Sequence, residues 1–292
     1  MRIAIYGKKV TKTTFPYFRQ VVEIANEFGW EVLFEHSLLE VLKRKFNFGG
    51  RLPSYTCHED LSSGVDLMVS LGGDGSFIKS VGYIRNHQIP IIGINTGRLG
   101  FLSNVQKELM KSSLLRIKEG DFTFQKRSLI KIKTEHNHFG KDNYALNELT
   151  IHKKDSASMI TVHASLDGNF LNSYWSDGLI VSTPTGSTAY NLSCGGPIIT
   201  PGCQVHILTP IAPHNLNVRP VVVPDHLPIT LSVEGRGRSF LVSLDGISKS
   251  IKQGEEILIE KAEFMINVVK FSDNTFLDTI RNKMFWGVDK RN

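Results

Sequence analysis

Three stretches of the chain concentrate residue types that handle phosphates and sugars. The first is Gly72-Gly73-Asp74-Gly75-Ser76, directly after an apolar run and before a helical pattern. Glycines at the carboxyl end of a strand let backbone approach a phosphate, and a helix start offers free N–H groups to an anion. A carboxylate in that turn would repel a phosphate unless it had a task of its own. Asp74 could orient or deprotonate an attacking hydroxyl, or help hold a metal that carries phosphates. A Gly-Asp-Gly turn that merely stops the strand is the plainer alternative. The second stretch runs from Asp177 to Pro197, where the apolar residues 179–181 lead into Ser182-Thr183-Pro184-Thr185-Gly186-Ser187-Thr188-Ala189-Tyr190. Hydroxyls and free N–H groups there make a neutral cradle for phosphate or ribose oxygens. Tyr190 could stack on a base, and Asp177 could accept from an amide or a sugar hydroxyl. An ordinary Ser/Thr-rich turn with helix caps would look similar. The third is Asn147-Glu148, an amide beside a carboxylate suited to gripping a ribose diol, or a solvent-facing strand end.

Other chemistries find no support. Gly93-Ile-Asn-Thr-Gly97-Arg-Leu-Gly100 follows a strand but lacks GxGxxG spacing, and no P-loop, GxSxG elbow or HRD/DFG pair occurs. Cys57, Cys194 and Cys203 form no CxxC pair and read as reduced thiols. The histidines are scattered without an HExxH; only His136 and His138 sit close, in what reads as a polar loop.

The elements that must position these residues change character along the chain. Up to about residue 122, strands at 2–7, 31–35, 65–71 and 90–94 alternate with helices at 15–28, 38–46, 76–85 and 106–118. That alternation predicts a parallel α/β sheet. Beyond it, strands follow one another at 122–134, 144–152, 160–166, 170–175, 179–182, 229–234, 240–244, 256–261 and 264–271. Asp167-Gly168 between two alternating runs is a strong hairpin signal, and 234–238 reads as another hairpin tip. Residues 273–286 return to helical periodicity and are expected to pack back on the first domain. The domains expected are therefore 1–122, 123–271 and a terminal helix over 272–292.

Composition bounds the reading. The 292 residues are 41% hydrophobic and 21% charged, enough apolar material for one large or two modest domains. No apolar run approaches the roughly 18 residues of a membrane span, and the first seven residues read as a buried strand instead of a leader, so a cytoplasmic protein is expected. The net charge is +6, divided as +4 over residues 1–125 and +2 over 126–292. Such diffuse charge suits small polyphosphate ligands as well as nucleic acid, and no RNA-binding motif accompanies it.

Taken together, Gly72-Gly-Asp-Gly75, Gly93-Ile-Asn-Thr-Gly97-Arg-Leu-Gly-Phe-Leu102, Asn147-Glu148 and the block from Asp177 to Pro197 resemble the NAD kinase family in order and spacing. GGDG alone is shared with diacylglycerol, sphingosine and phosphofructo-kinases; the Asp177–Pro197 block is far more specific. The resemblance implies an α/β N-terminal domain with a parallel sheet, a mostly-β C-terminal sandwich domain, and an active site in the cleft between them. It implies ATP-dependent phosphorylation of the 2′-hydroxyl of the adenosine ribose of NAD, giving NADP, with a divalent metal ion, Mg2+ by preference. By similarity Asp74 would accept the proton, with Gly75 beside it on the nucleotide and Lys79 within reach of a phosphate. Asn147 and Glu148 would bind ribose hydroxyls, and Asp177 would contact the nicotinamide half. Thr188, Ala189, Tyr190, Asn191, Leu192 and Ser193 would hold the adenosine. A homo-oligomer, dimer or tetramer, is expected by analogy. Two positions depart from the pattern: Trp175 stands where many relatives carry Arg, and Ile247 where many carry Gln or His.

The rival readings are another GGDG-type kinase acting on a lipid or sugar phosphate, and a non-catalytic NAD(P)-binding sensor. A lipid kinase would be expected to show a basic amphipathic surface, and none is evident. Asp74 itself argues against a mere sensor.

Overall fold

A computed structural model describes residues 1–50, 52–62, 64–97, 100–154, 158–273 and 275–285. In chain order the first part comprises β1 (Arg2–Tyr6), α1 (Phe15–Phe28), β2 (Glu31–Glu35), α2 (His36–Phe46), β3 (Ser54–Tyr55), β4 (Leu67–Leu71), α3 (Asp74–Ile84), β5 (Ile91–Asn95), β6 (Val105–Gln106), α4 (Met110–Glu119) and β7 (Thr123–Arg127). Then come β8 (Ile130–Thr134), β9 (Tyr144–Ala145), β10 (Glu148–His152), β11 (Ile160–Leu166), β12 (Asn169–Ser176), β13 (Gly178–Ser182) and the short α5 (Tyr190–Ser193). The chain finishes with β14 (Val205–Ile211), β15 (Val221–Pro224), β16 (Ile229–Glu234), β17 (Ser239–Leu244), β18 (Ile247–Lys252), β19 (Ile257–Lys261), β20 (Ile266–Lys270) and α6 (Phe276–Met284).

Two compact units result: residues 1–126 with the chain from Ile266 onward, and residues 127–265. In the first, the strand order is β3-β2-β1-β4-β5-β20-β7, with β6 also paired to β5. Pairs β1–β2, β1–β4 and β4–β5 are parallel, as alternating strands and helices require. The order reverses between β1 and β4, and in such sheets ligands bind outside the carboxyl ends of the strands at this switch point. Helix α1 shows why the pattern was readable: Phe18, Val21, Ile24 and Ala25 bury one face, and Gly29 ends it at a left-handed φ of 71°.

The second unit stacks two six-stranded sheets, β15-β14-β13-β10-β17-β18 and β12-β11-β16-β19-β8-β9. Alternating residues of both, such as Leu149, Val181 and Leu244 with Val162, Leu231 and Ile259, fill one core. Asp167 and Gly168, at φ 50° and 75°, form the expected β11–β12 hairpin turn.

Several expectations change. The run 122–134 breaks at Ser128-Leu129 into β7 and β8, which belong to different sheets. The strand near 264–271 is β20, paired in parallel with β5, so the first unit reclaims a segment expected in the β domain. Residues 234–238 are no hairpin tip: β16 and β17 lie in different sheets and the segment crosses between them. Helix α3 begins at Asp74, which brings the glycine turn into its first turn. Helix α6 starts on a Thr275–Asp278 capping box and lies in the first unit, where the Lys283 ammonium sits 4.5 Å from the Phe101 ring. Trp286, expected in this helix, lies outside the described residues, as do Arg98 and Leu99. Among the described residues no helix is long and apolar enough to cross a membrane.

Candidate active site

Strand β4 is buried throughout and delivers its carboxyl end to Gly72, whose φ of 143° suits glycine alone; a Cβ there would stand 2.4 Å from Ser76 Oγ. Gly73 then caps α3 and Asp74 occupies its first position, where a carboxylate meets the positive end of the helix. The Asp74 carboxylate is held by a collar of backbone amides. Oδ1 accepts from the N–H groups of Leu102 and Ser103 at 3.0 and 2.9 Å, and Oδ2 from Phe101 at 2.8 Å. Of the roughly four lone-pair positions of a carboxylate, the one left is on Oδ2. Gly100 closes the collar from the other side, where a Cβ would fall 1.8 Å from Asp74 Oδ1.

Asn95, at the end of β5, ties the same loop together. Its Oδ1 accepts from Gly97 N–H at 2.7 Å and its Nδ2 donates to the Ser103 carbonyl at 3.3 Å. The glycine-rich segment after β5 thus has a specific duty, which is to wrap Asp74. Cβ atoms built on Gly73 and Gly75 would meet nothing within 4 Å, so the turn presents bare backbone to solvent. Lys79 lies exposed one helical turn beyond Gly75 on the same face of α3.

In the second unit, three backbone segments meet at one sheet end. Glu148 starts β10 opposite Ser182, the last residue of β13, and the β17–β18 turn lies on its other flank. That turn carries Asp245 at φ 46°, and its carboxylate accepts from the backbone N–H groups of Leu146, Asn147 and Glu148 at 2.7, 3.0 and 3.2 Å. Asp245 is therefore the anchor that fixes the Asn147-Glu148 pair. From the other flank, Thr183 N–H donates to the Asn147 carbonyl at 2.9 Å and Thr183 Oγ1 to the Leu146 carbonyl at 2.5 Å.

Burial, then the neighbouring Asp245 charge, pushes Glu148 up to about 8. Burial also raises Asp245 to about 6, against the three amides that favour its charged form. Two carboxylates this close and dry do not both ionise readily. Asp245 has the amides, whereas Glu148 Oε2 is buried without a hydrogen-bond partner. Glu148 is thus the neutral member near pH 7, able to donate as well as accept.

The block after β13 separates into scaffold and surface. Asn191 is fully buried and its side chain is consumed internally: Nδ2 donates to the Ser187 and Pro197 carbonyls at 3.1 Å each, and Oδ1 accepts from Thr209 Oγ1 at 2.6 Å. Every polar atom of that amide therefore holds the loop itself. Ser187, also buried, binds the Pro184 carbonyl at 2.7 Å. Tyr190 and Ser193 face solvent, while Thr188, Ala189 and Leu192 are half-buried. Asp177, between β12 and β13, is paired with Lys153 Nζ at 2.5 Å. Trp175 stands half exposed with its ring 4.2 Å from that of His214, and Ile247 is exposed beside the Asp245 turn.

Asp245's anchoring role, Asn95, Lys153 and the amides of residues 101–103 escaped the motif reading. The Asp-Gly turn is the one local signal for Asp245; Asn95 acts within its own loop, on Gly97 and Ser103, whereas Lys153 and the amides of residues 101–103 meet partners 24 to 29 residues away.

A carboxylate-bearing glycine turn at a sheet's switch point, with a β unit whose strand ends present an amide, a carboxyl and hydroxyls, defines a two-unit nucleotide-binding protein of the GGDG kinase type. Residues 3–122 match the ATP-NAD kinase N-terminal domain and residues 146–271 the ATP-NAD kinase C-terminal domain. The chain belongs to the ATP-NAD kinase family. It is 44% identical to the NAD kinase of Christiangramia forsetii and 42% identical to that of Flavobacterium psychrophilum, each over the whole of both chains. Among solved structures it is similar to a yeast NADH kinase complexed with NADH, with TM-score 0.85 and 25% identity over 99% of this chain and 88% of that one. It is likewise similar to an NAD kinase from Archaeoglobus fulgidus in complex with ATP, with TM-score 0.77 and 28% identity over 98% of this chain and 99% of that one.

Proposed function

We propose that the protein transfers the γ-phosphoryl group of ATP to the 2′-hydroxyl of the adenosine ribose of NAD, forming NADP and ADP. The observation that carries the reading is the Asp74 carboxylate, fixed by three backbone amides with one Oδ2 lone pair left open. A carboxylate is far too weak a base to preform a ribose alkoxide. In a loose phosphoryl-transfer transition state it needs only to orient the hydroxyl and take its proton late, and a pre-set lone pair serves that purpose. The bare backbone of Gly73 and Gly75 and the start of α3 suit the phosphates, with Lys79 adding positive charge.

On the NAD side, Asn147 and neutral Glu148 bind ribose hydroxyls, offering donors and acceptors side by side. Tyr190 stacks on the adenine, and Thr188, Ala189, Leu192 and Ser193 line the adenosine. Asn191 acts indirectly by holding that loop in shape. Asp177, oriented by Lys153, meets the nicotinamide half, with Trp175 and His214 close by in the chain fold. The yeast relative's NADH and the archaeal relative's ATP support this pair of substrates.

A magnesium ion carried by the substrate phosphates fits beside the unobstructed backbone of Gly73 and Gly75, which leaves the open Asp74 lone pair to the hydroxyl. When bound, it would neutralise charge on the transferring phosphoryl group. The same reading takes the protein as a cytoplasmic homo-oligomer, dimer or tetramer, without nucleic-acid or membrane partners. The test is incubation of purified protein with ATP, Mg2+ and NAD, with the product read by an NADP-specific dehydrogenase. NADP should accumulate in step with ADP. ADP formed only with a lipid or sugar phosphate as acceptor would reject the proposal.

A further inference from the structure

Far from the motifs in sequence, the second unit gathers His136, His138 and Glu255 so that one ligand atom from each lies within 4.8 Å of the others. Strand pairing explains the meeting. Thr134, the last residue of β8, is opposite Ile257, the first residue of β19, so the turn after β8 lies against the turn before β19. That turn is tightly specified: Asn137 adopts φ 45°, His138 N–H donates to Thr134 Oγ1 at 3.2 Å, and Phe139 is buried in the core. Two imidazoles two residues apart are thereby presented to one carboxylate.

The Glu255 side chain is 3% exposed. Its oxygens lie 3.0 and 3.1 Å from His138 Nε2 and 3.4 Å from His136 Nδ1. Among the described residues its ion-pair partners are these two imidazoles, which carry full positive charge only when protonated. Two imidazoles and the His136 N–H, which donates to Glu255 Oε1 at 3.5 Å, thus converge on one carboxylate, and a dication would draw on the same side-chain ligand atoms. Tetrahedral zinc with bonds near 2.0–2.1 Å sets its ligand atoms about 3.3 Å apart. The carboxylate-to-imidazole separations of 3.0–3.4 Å are close to that edge, and all three ligand atoms lie within 4.8 Å of one another.

We propose that His136, His138 and Glu255 form a zinc(II) site, with water in the fourth position, that pins the turn after β8 to the turn before β19. Two nitrogen donors and one carboxylate suit zinc far better than magnesium, which prefers oxygen ligands and retains its water. The site is separate in its residues from those assigned to phosphoryl transfer.

The test uses the full chain, stripped with EDTA and titrated with Zn2+ alone against a chromogenic chelator, without nucleotide. One zinc should bind per chain, persist in excess Mg2+ and raise the melting temperature. His136→Ala and His138→Ala should each weaken binding at least about tenfold, while their NADP formation without added zinc stays at the wild-type rate. His136 is mostly exposed, so its variant should fold normally and keeps the test interpretable. Co2+ substitution should give the intense visible bands of a four-coordinate site, lost in both variants. Absence of stoichiometric binding, or binding that survives both substitutions, overturns the proposal.

Discussion

Replacing Glu148 by Gln probes the least ordinary feature of the NAD-side residues, a carboxyl that stays neutral near pH 7. In the folded protein its pKa rises from 4.5 to about 8, through burial first and the Asp245 charge second. Between those values the folded state keeps a proton that the unfolded chain has released. Glu148 therefore costs the wild type about 1.4 kcal/mol for each pH unit climbed from 4.5 towards 8, and nothing further outside that window. The total should be a few kcal/mol, less than the full product, because Glu148 keeps part of its surface in solvent. Gln is close in shape to the neutral acid and does not titrate. The stability difference, variant minus wild type, should thus be small at pH 5 and rise steadily to pH 8 before levelling. Urea denaturation of both proteins at unit steps from pH 5 to 9 measures it. At pH 7 the KM for NAD should change only a few-fold, since amide and neutral acid both donate and accept. A pH-independent difference, or a variant uniformly less stable than wild type, would refute the neutral-acid assignment.

Three further substitutions test other parts of the arrangement. Gly100→Ala would set a methyl 1.8 Å from Asp74 Oδ1 and force the carboxylate aside; kcat should fall about 100-fold while NAD binding by calorimetry is largely kept. Asn191→Ala strands Thr209 Oγ1 and the Ser187 and Pro197 carbonyls, so stability should drop by about 3 kcal/mol and NAD affinity should fall with it. Lost affinity at unchanged melting temperature would make Asn191 a ligand contact instead. His206 is fully buried, and burial pushes it down to about 4 against the pull of Asp225. Its folded pKa is depressed, so the wild type should lose about 1.4 kcal/mol per unit as pH falls from 6.5 towards 4, and His206→Leu should remove that slope in urea midpoints.

What the sequence revealed and what it hid follow one physical line. Gly72 to Gly75 was legible because strand burial, glycine and helix start are all local properties, and they lie within a few residues of one another. Alternating strands and helices likewise marked the parallel sheet. Strand β20 was visible as a strand, but alternation says nothing about which sheet a strand joins, and β20 pairs with β5. Strand β14 escaped because its buried positions include His206, Thr209 and Pro210, which break any apolar pattern. Strand β18 escaped for the opposite reason, as an edge strand with only Ile251 buried. The Asp74 collar, the Asp245 anchor and the meeting of Glu255 with His136 and His138 span 27 to 119 residues of chain. Such meetings come from register and topology, which no local pattern encodes.

Asp74→Asn tests the central claim most directly, with kcat for NADP formation and NAD affinity measured on the same preparation. The open lone pair sits on Oδ2, which also takes the Phe101 amide, while Oδ1 holds Leu102 and Ser103. Asn would keep its oxygen at the two-amide position and place NH2 where the hydroxyl proton should be received. The account predicts turnover reduced about 1000-fold with NAD affinity within a few-fold of wild type. Turnover within tenfold of wild type, or affinity falling in step with turnover, would contradict it.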